Sequence, residues 1–160
     1  MPRITDTVRG SSVLETKVSC TEFPRMHKPI SNYRDLIVWQ RAMELVDVID
    51  DIVMGLASYQ RWWIGLQMHR AALSIASCIA EGHQSDFTGV YLTRLSDAKG
   101  STTEVETQVL VIVRRRLAGE DKTSRALDLC DQIGRMLTSL TRPVRSSRRP
   151  SNRTMKGRSA

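Results

Sequence analysis

The sequence predicts an all-α fold, an antiparallel up-and-down four-helix bundle, from three observations. Apolar residues recur at three- and four-residue steps over four separate stretches. The connections between those stretches are short, which favours antiparallel neighbours. No alternation of apolar and polar residues runs long enough for a strand.

The first helix is predicted from about Tyr33 to Met54. Ser31 and Asn32 are good N-cap residues, and Leu36, Trp39, Met43, Val46, Ile49 and Val53 form its apolar stripe. Ala42, Leu45 and Ile52 widen that stripe, as burial in a bundle requires, and Gly55 follows as a C′ residue. The second helix is predicted from about Gln60 to Glu81, closing at Gly82. Its second half is rich in Ala and Ser around Ile75 and Ile79, and such small side chains let two helices approach closely. Trp62 and Trp63 would point about 100° apart on a helix, so one can be core while the other is exposed. An exposed indole beside Tyr59 suits an interface between subunits.

The third helix is predicted from near Ser85–Asp86 to about Leu117. It carries Tyr91, Leu95, Ala98, Thr102, Val105, Val109, Ile112 and Val113 on one face, and Gly119 terminates it. Gly89 and Gly100 inside it each cost about 1 kcal/mol relative to Ala, and are expected to mark close helix contact or a bend. The fourth helix is predicted from about Asp121 to Thr141, with Ala126, Leu127, Cys130, Ile133, Leu137 and Leu140 inward, and Pro143 stops it. The domain organisation expected is a flexible extension over 1–32, the bundle over 33–141 and a disordered basic tail over 142–160.

Charge is distributed unevenly. The 160 residues hold 24 Lys+Arg and 17 Asp+Glu, a formal net charge of +7. Seven of the basic residues and no acid lie between 142 and 160, so residues 1–141 are balanced at 17 of each sign. A neutral body with a cationic end argues for a polyanionic partner rather than for a basic domain.

Several classes are disfavoured. Cys20, Cys78 and Cys130 have no paired spacing, against a disulfide framework or zinc knuckle. No apolar h-region opens the chain, and the longest interior uncharged stretch, Ala71 to Ala80, is far below the roughly 18 residues of a membrane span. A reducing cytoplasm is the expected compartment. A di-iron site needs Glu-x-x-His pairs, and none of His27, His69 and His83 follows a Glu by three. Ser74, Ser77 and Cys78 have no His three or four residues away and read as packing residues. No catalytic residue, cofactor or metal is predicted.

Four segments carry a recognisable pattern. They are Tyr33 to Gln40 (YRDLIVWQ), Arg70 to Gly82 (RAALSIASCIAEG), Leu95 to Gln108 (LSDAKGSTTEVETQ) and Ile133 to Leu137 (IGRML). In this order, one in each predicted helix, they resemble the bacterial four-helix-bundle family that includes proteins encoded by intervening sequences in 23S rRNA genes. The resemblance covers about Tyr33 to Arg142. It implies cytoplasmic cyclic homo-oligomers, typically pentamers, without established enzymatic activity. It also implies kinship with the accessory variability determinant of diversity-generating retroelements, which binds nucleic acid and a reverse transcriptase. Two positions depart from the pattern: Cys78 stands where Asn is usual and Ala76 where Pro is frequent, so Cys78 is expected to pack as a small apolar residue.

Two candidate sites follow. A polar network, within the bundle or between subunits, is expected from Arg70, Glu81, Glu106 and Gln108; Glu104, two residues from Glu106, faces elsewhere. A nucleic-acid surface is expected from Arg114, Arg115 and Arg116 joined to the tail residues Arg142, Arg145, Arg148 and Arg149. Phosphate contacts and counterion release would drive that binding without sequence specificity. The alternative is a structural or protein-interaction ring in which Arg114 to Arg116 complement a helix dipole and the tail only solubilises.

Overall fold

The structure is a computed structural model that describes residues 31–147. These residues form a helical bundle without strands. Its main helices are α1 (Ile37–Met54), α2 (Leu66–Gln84), α3 (Thr88–Arg115) and α4 (Glu120–Ser147). They pack pairwise, α1 on α2, α2 on α3, α3 on α4 and α4 on α1. Leu45, Ile49, Ile52, Met68, Ile75, Ile79, Leu95, Val105, Val109, Ile112, Ile133 and Leu137 are fully buried at their centre. Burial of each such side chain contributes about 1.5–3 kcal/mol. The predicted stripes supply most of this core, but Met43 and Val113, expected inward, are exposed, and Met68 joins the core from outside any predicted stripe.

The chain enters differently from the expectation. Asn32 caps a short 3₁₀ turn, Tyr33–Asp35, by accepting from the Arg34 amide at 2.9 Å, and α1 begins only at Ile37. Gly55 does follow the helix but holds a right-handed conformation, not the left-handed one of a C′ glycine.

The second helical stretch is composite. A turn at Ser58–Gln60 runs into a π-helical segment, Arg61–Gly65, before α2. The wide turn takes up an extra residue. Both Trp62 and Trp63 therefore stay outside, while Ile64 and Gly65 turn inward. Neither indole takes the core position that the helical spacing allowed one of them. Gly65 sits so close to α1 that a Cβ there would lie 2.9 Å from Val53 Cγ1.

Gly82 does not close α2, which continues to Gln84. It is buried inside the helix, where a Cβ would meet Arg94 Cβ of α3 at 3.2 Å. Gly82 thus permits the approach that the small residues predicted. Gly100 marks no close contact, since nothing within the chain lies within 4 Å of a Cβ built on it.

Gly119 is not the terminator of α3. The helix ends at Arg115, and Arg116 takes the left-handed conformation, φ 55° and ψ 42°. The amide of Arg116 donates to Val113 O and that of Leu117 to Ile112 O, each at 3.0 Å. This is a Schellman ending with arginine where glycine is usual, at a cost of about 1–2 kcal/mol.

Pro143 does not stop α4. The helix runs through it to Ser147. Pro143 has no N–H to offer Ser139, but Ser139 is exposed, and solvent can satisfy its carbonyl there. The 1–30 extension, and the tail beyond 147 with Arg148 and Arg149, lie outside the described residues.

Candidate nucleic-acid interface

Of the basic residues expected to act together, Arg142 and the run Arg114 to Arg116 fall in separate places. Arg114, Arg115 and Arg116 end α3, all exposed. Arg142 lies on the far part of α4 and lines a groove of about 520 Å³ between α3 and α4 with Lys99, Thr138 and Arg135. Lys99 Nζ donates to Thr138 Oγ1 across that groove at 3.0 Å. Fifteen residues of α3 separate Lys99 from Arg114, about 22 Å along the bundle at ~1.5 Å each. Arg145, further along α4, is no nearer in sequence to that end. The structure therefore places Arg142 apart from Arg114 to Arg116, while the side chains of Arg145, Arg148 and Arg149 lie outside what it describes.

At the α3 end, the guanidinium of Arg115 lies over the Trp63 ring, 5.4 Å from its centroid. This fixes the end of α3 beside the π-helical start of the second helical stretch. Among the described residues no carboxylate lies within 4 Å of Arg114, Arg115 or Arg116. The acids nearest this end in the fold have other work. Asp51 of α1 pairs with Lys122 of α4 at 3.6 Å, and Glu120 and Asp121 occupy the first turn of α4, where negative charge complements the helix dipole.

The expected polar network does not assemble within the chain. Gln108 Nε2 donates to Glu104 Oε1 at 3.1 Å, one turn earlier on the same helix, so Glu104 and not Glu106 is its partner. The Oε1 atom of Gln108 is buried without a partner. Glu81 pairs instead with Arg94 of α3 at 3.0 Å, in solvent. Arg70 is exposed, and Glu106 faces the α3/α4 groove. Sequence reasoning missed Arg94, which bridges Glu81 and Asp97, and missed Ser101, whose hydroxyl meets that of Ser74 at 3.0 Å. Alternating small and charged residues on α3 gave no sign of which would face α2.

Of the residues expected to serve packing, Cys78 is buried and Ser74 half-buried, but Ser77 is exposed. Cys78 is buried with its sulfur 3.9 Å from Ser74 Oγ, as expected of a small packing residue. Burial, aided by the negative charge of Glu106, pushes the Cys130 thiol up to about 12, so it stays protonated at neutral pH. Among the described residues no cluster of three His, Cys, Asp or Glu side chains is placed to hold a metal ion, and no helix is long and apolar enough to cross a membrane.

A helical bundle with an uncompensated arginine cluster at one end defines the class. The chain belongs to the 23S rRNA-intervening sequence protein family, whose model matches residues 34–139. In fold it is similar to a protein of unknown function from the S23 ribosomal protein family of Bacteroides thetaiotaomicron, with a TM-score of 0.61. The two are 19% identical, and the match covers 66% of this chain and 96% of that one. No curated protein matches the chain.

Proposed function

We propose that this chain is a non-enzymatic four-helix bundle, antiparallel and up-and-down, that self-associates and binds nucleic acid without sequence specificity. The observation that carries the binding is the exposure of Arg114, Arg115 and Arg116 with no carboxylate beside them. Three cations that no neighbour neutralises attract phosphates and release their counterions. The antiparallel arrangement is supported by cross-helix partners whose numbers run in opposite directions. Glu44 and Asp51 of α1 pair with Arg125 and Lys122 of α4, while Ser74 and Glu81 of α2 meet Ser101 and Arg94 of α3.

A non-enzymatic role is supported by the state of the nucleophile types, since Ser74 is bonded to Ser101 and Cys130 is held as the thiol. Self-association, as a homopentamer by family resemblance, is supported by the exposed Leu66 and Leu73 of α2 and by Phe87 and Val90 around the start of α3. A reverse transcriptase is a further partner that the family's retroelement relatives suggest. The cytoplasm is the proposed location.

A labelled RNA or DNA fragment titrated with the full chain at low salt tests the reading. Retarded bands that weaken on replacing Arg114 to Arg116 by Ala are expected. No shift, or one indifferent to that replacement, overturns it. Light scattering tests assembly, and a monomeric mass at micromolar concentration contradicts the ring.

A further inference from the structure

Three unusual features meet at one end of the bundle. The first is the π-helical segment Arg61–Gly65, which keeps adjacent indoles outside, Trp62 at 80% exposure and Trp63 at 39%. Single π turns recur at functional sites because they cost regular hydrogen bonding and re-aim side chains. The second is Arg116, a non-glycine residue held at φ 55° where glycine would end the helix without strain. The third is the contact between Arg115 and the Trp63 face, which joins the two elements. Tyr59, two residues before this helical stretch turns π, is exposed as well.

Resting on the nucleic-acid reading above, we infer that Trp62, Trp63 and Tyr59 form a stacking platform for the unpaired bases of a single-stranded polynucleotide, whose phosphates are held by Arg114 and Arg116. The chemistry selects that occupant. A single strand is the polymer that offers flat π-faces and a phosphate with every unit, so it satisfies aromatic rings and arginines together. A duplex hides its base faces and can use only the arginines. An apolar protein surface would cover the indoles but leave Arg114 and Arg116, which have no acid of their own chain, unneutralised. Arg115 lies over the Trp63 ring, which leaves Trp62, the more exposed indole, as the principal stacking surface.

The test uses the full chain with fluorescently labelled oligo(dT), oligo(U) and a duplex of equal length, at low salt. Native protein is expected to bind one or both single strands more tightly than the duplex, and the ratio of oligo(dT) to oligo(U) affinity assigns DNA or RNA. Trp62→Ala is expected to weaken single-strand binding about tenfold and duplex binding less than twofold, with Trp62→Phe restoring most of it. Quenching of indole fluorescence on single-strand addition, lost in part in Trp62→Ala, reports the stacking itself. Equal single-strand affinity for native and Trp62→Ala protein overturns the platform even where the duplex still binds. A fall in oligomeric mass with unchanged oligonucleotide affinity overturns it in favour of a second copy on that surface. Absence of binding to all three probes overturns the nucleic-acid reading as well.

Discussion

Against α2, helix α3 comes close enough that a Cβ on Gly82 would press on Arg94 Cβ at 3.2 Å, and the hydroxyls of Ser74 and Ser101 meet directly. Against α4, the same helix leaves a groove of about 520 Å³ floored by Thr102, Cys130 and Gly134. Nothing lies within 4 Å of a Cβ built on Gly134, which lines that groove, or on Gly100, exposed on α3 outside it. Glycine inside a helix therefore serves opposite ends on the two flanks. On one it removes an obstacle to packing, and on the other it leaves space unfilled while weakening the helix. The tight flank holds the fold, and the open flank tolerates change.

Substitutions on the tight flank carry the largest expected effect. Gly82→Val adds two methyls to a site already short of room for one carbon, and overpacking of this kind costs about 2–3 kcal/mol. Urea denaturation should show that loss, and an unchanged midpoint would remove the basis for calling this flank tight. Next comes the buried thiol beside the groove. The native Cys130 thiol sits near 12, against roughly 8.5 for a free cysteine, so the unfolded chain loses its proton first as pH rises. Stability from this group is complete below about pH 8.5 and falls between there and about pH 12, by up to about 1.4 kcal/mol per pH unit. Cys130→Ala should flatten that alkaline limb. Alkylation at pH 8, followed by peptide mapping, should find Cys130 modified only in denaturant.

Where a glycine meets no neighbour, the sign reverses. Gly100→Ala meets no neighbour within 4 Å and restores helix propensity, so it is expected to stabilise by up to about 1 kcal/mol. A destabilisation read from the same urea curves would mean that something, such as a second copy, packs on Gly100. The smallest effect belongs to the α1–α4 contact. A hydrogen bond from Arg41, helped by the positive charge of Arg125, holds the Glu44 carboxyl below its usual range. Its contribution is present above the ordinary carboxylate range and is lost as pH falls through the lowered native value. Glu44→Gln should therefore reduce acid sensitivity below about pH 4 and leave stability at pH 7 within a few tenths of a kcal/mol of native.

What the sequence disclosed and what it withheld divide along the same physical line. The 3.6-residue period of Leu45, Ile49 and Ile52, or of Ala126, Ile133 and Leu137, is set by burial in one core, and burial is written into residue type. The π-helical turn was not legible, because Trp62-Trp63-Ile64-Gly65 fits an α period equally well until Val53 is known to lie against Gly65. Gly82 looked like a stop signal, since its role depends on Arg94 of another helix. Arg116 gave no sign of a helix end, because the left-handed cap is normally announced by glycine. Of the candidate site, the arginines at 114 to 116 were visible as a run. Their companions Trp62 and Trp63 were recognised only as exposed or buried aromatics, because nothing local ties them to the far end of α3. Pro143 was expected to end α4, yet an exposed last stretch tolerates a lost hydrogen bond.

The central claim is that the arginine cluster at the end of α3 binds phosphates. Its most direct test is the salt dependence of oligonucleotide affinity for the native chain and for the variant with Ala at 114, 115 and 116. The slope of log affinity against log salt concentration should fall in magnitude by about 1.4 in the variant, as the lost phosphate contacts of Arg114 and Arg116 at ~0.7 each require. An identical slope for the two proteins would contradict it.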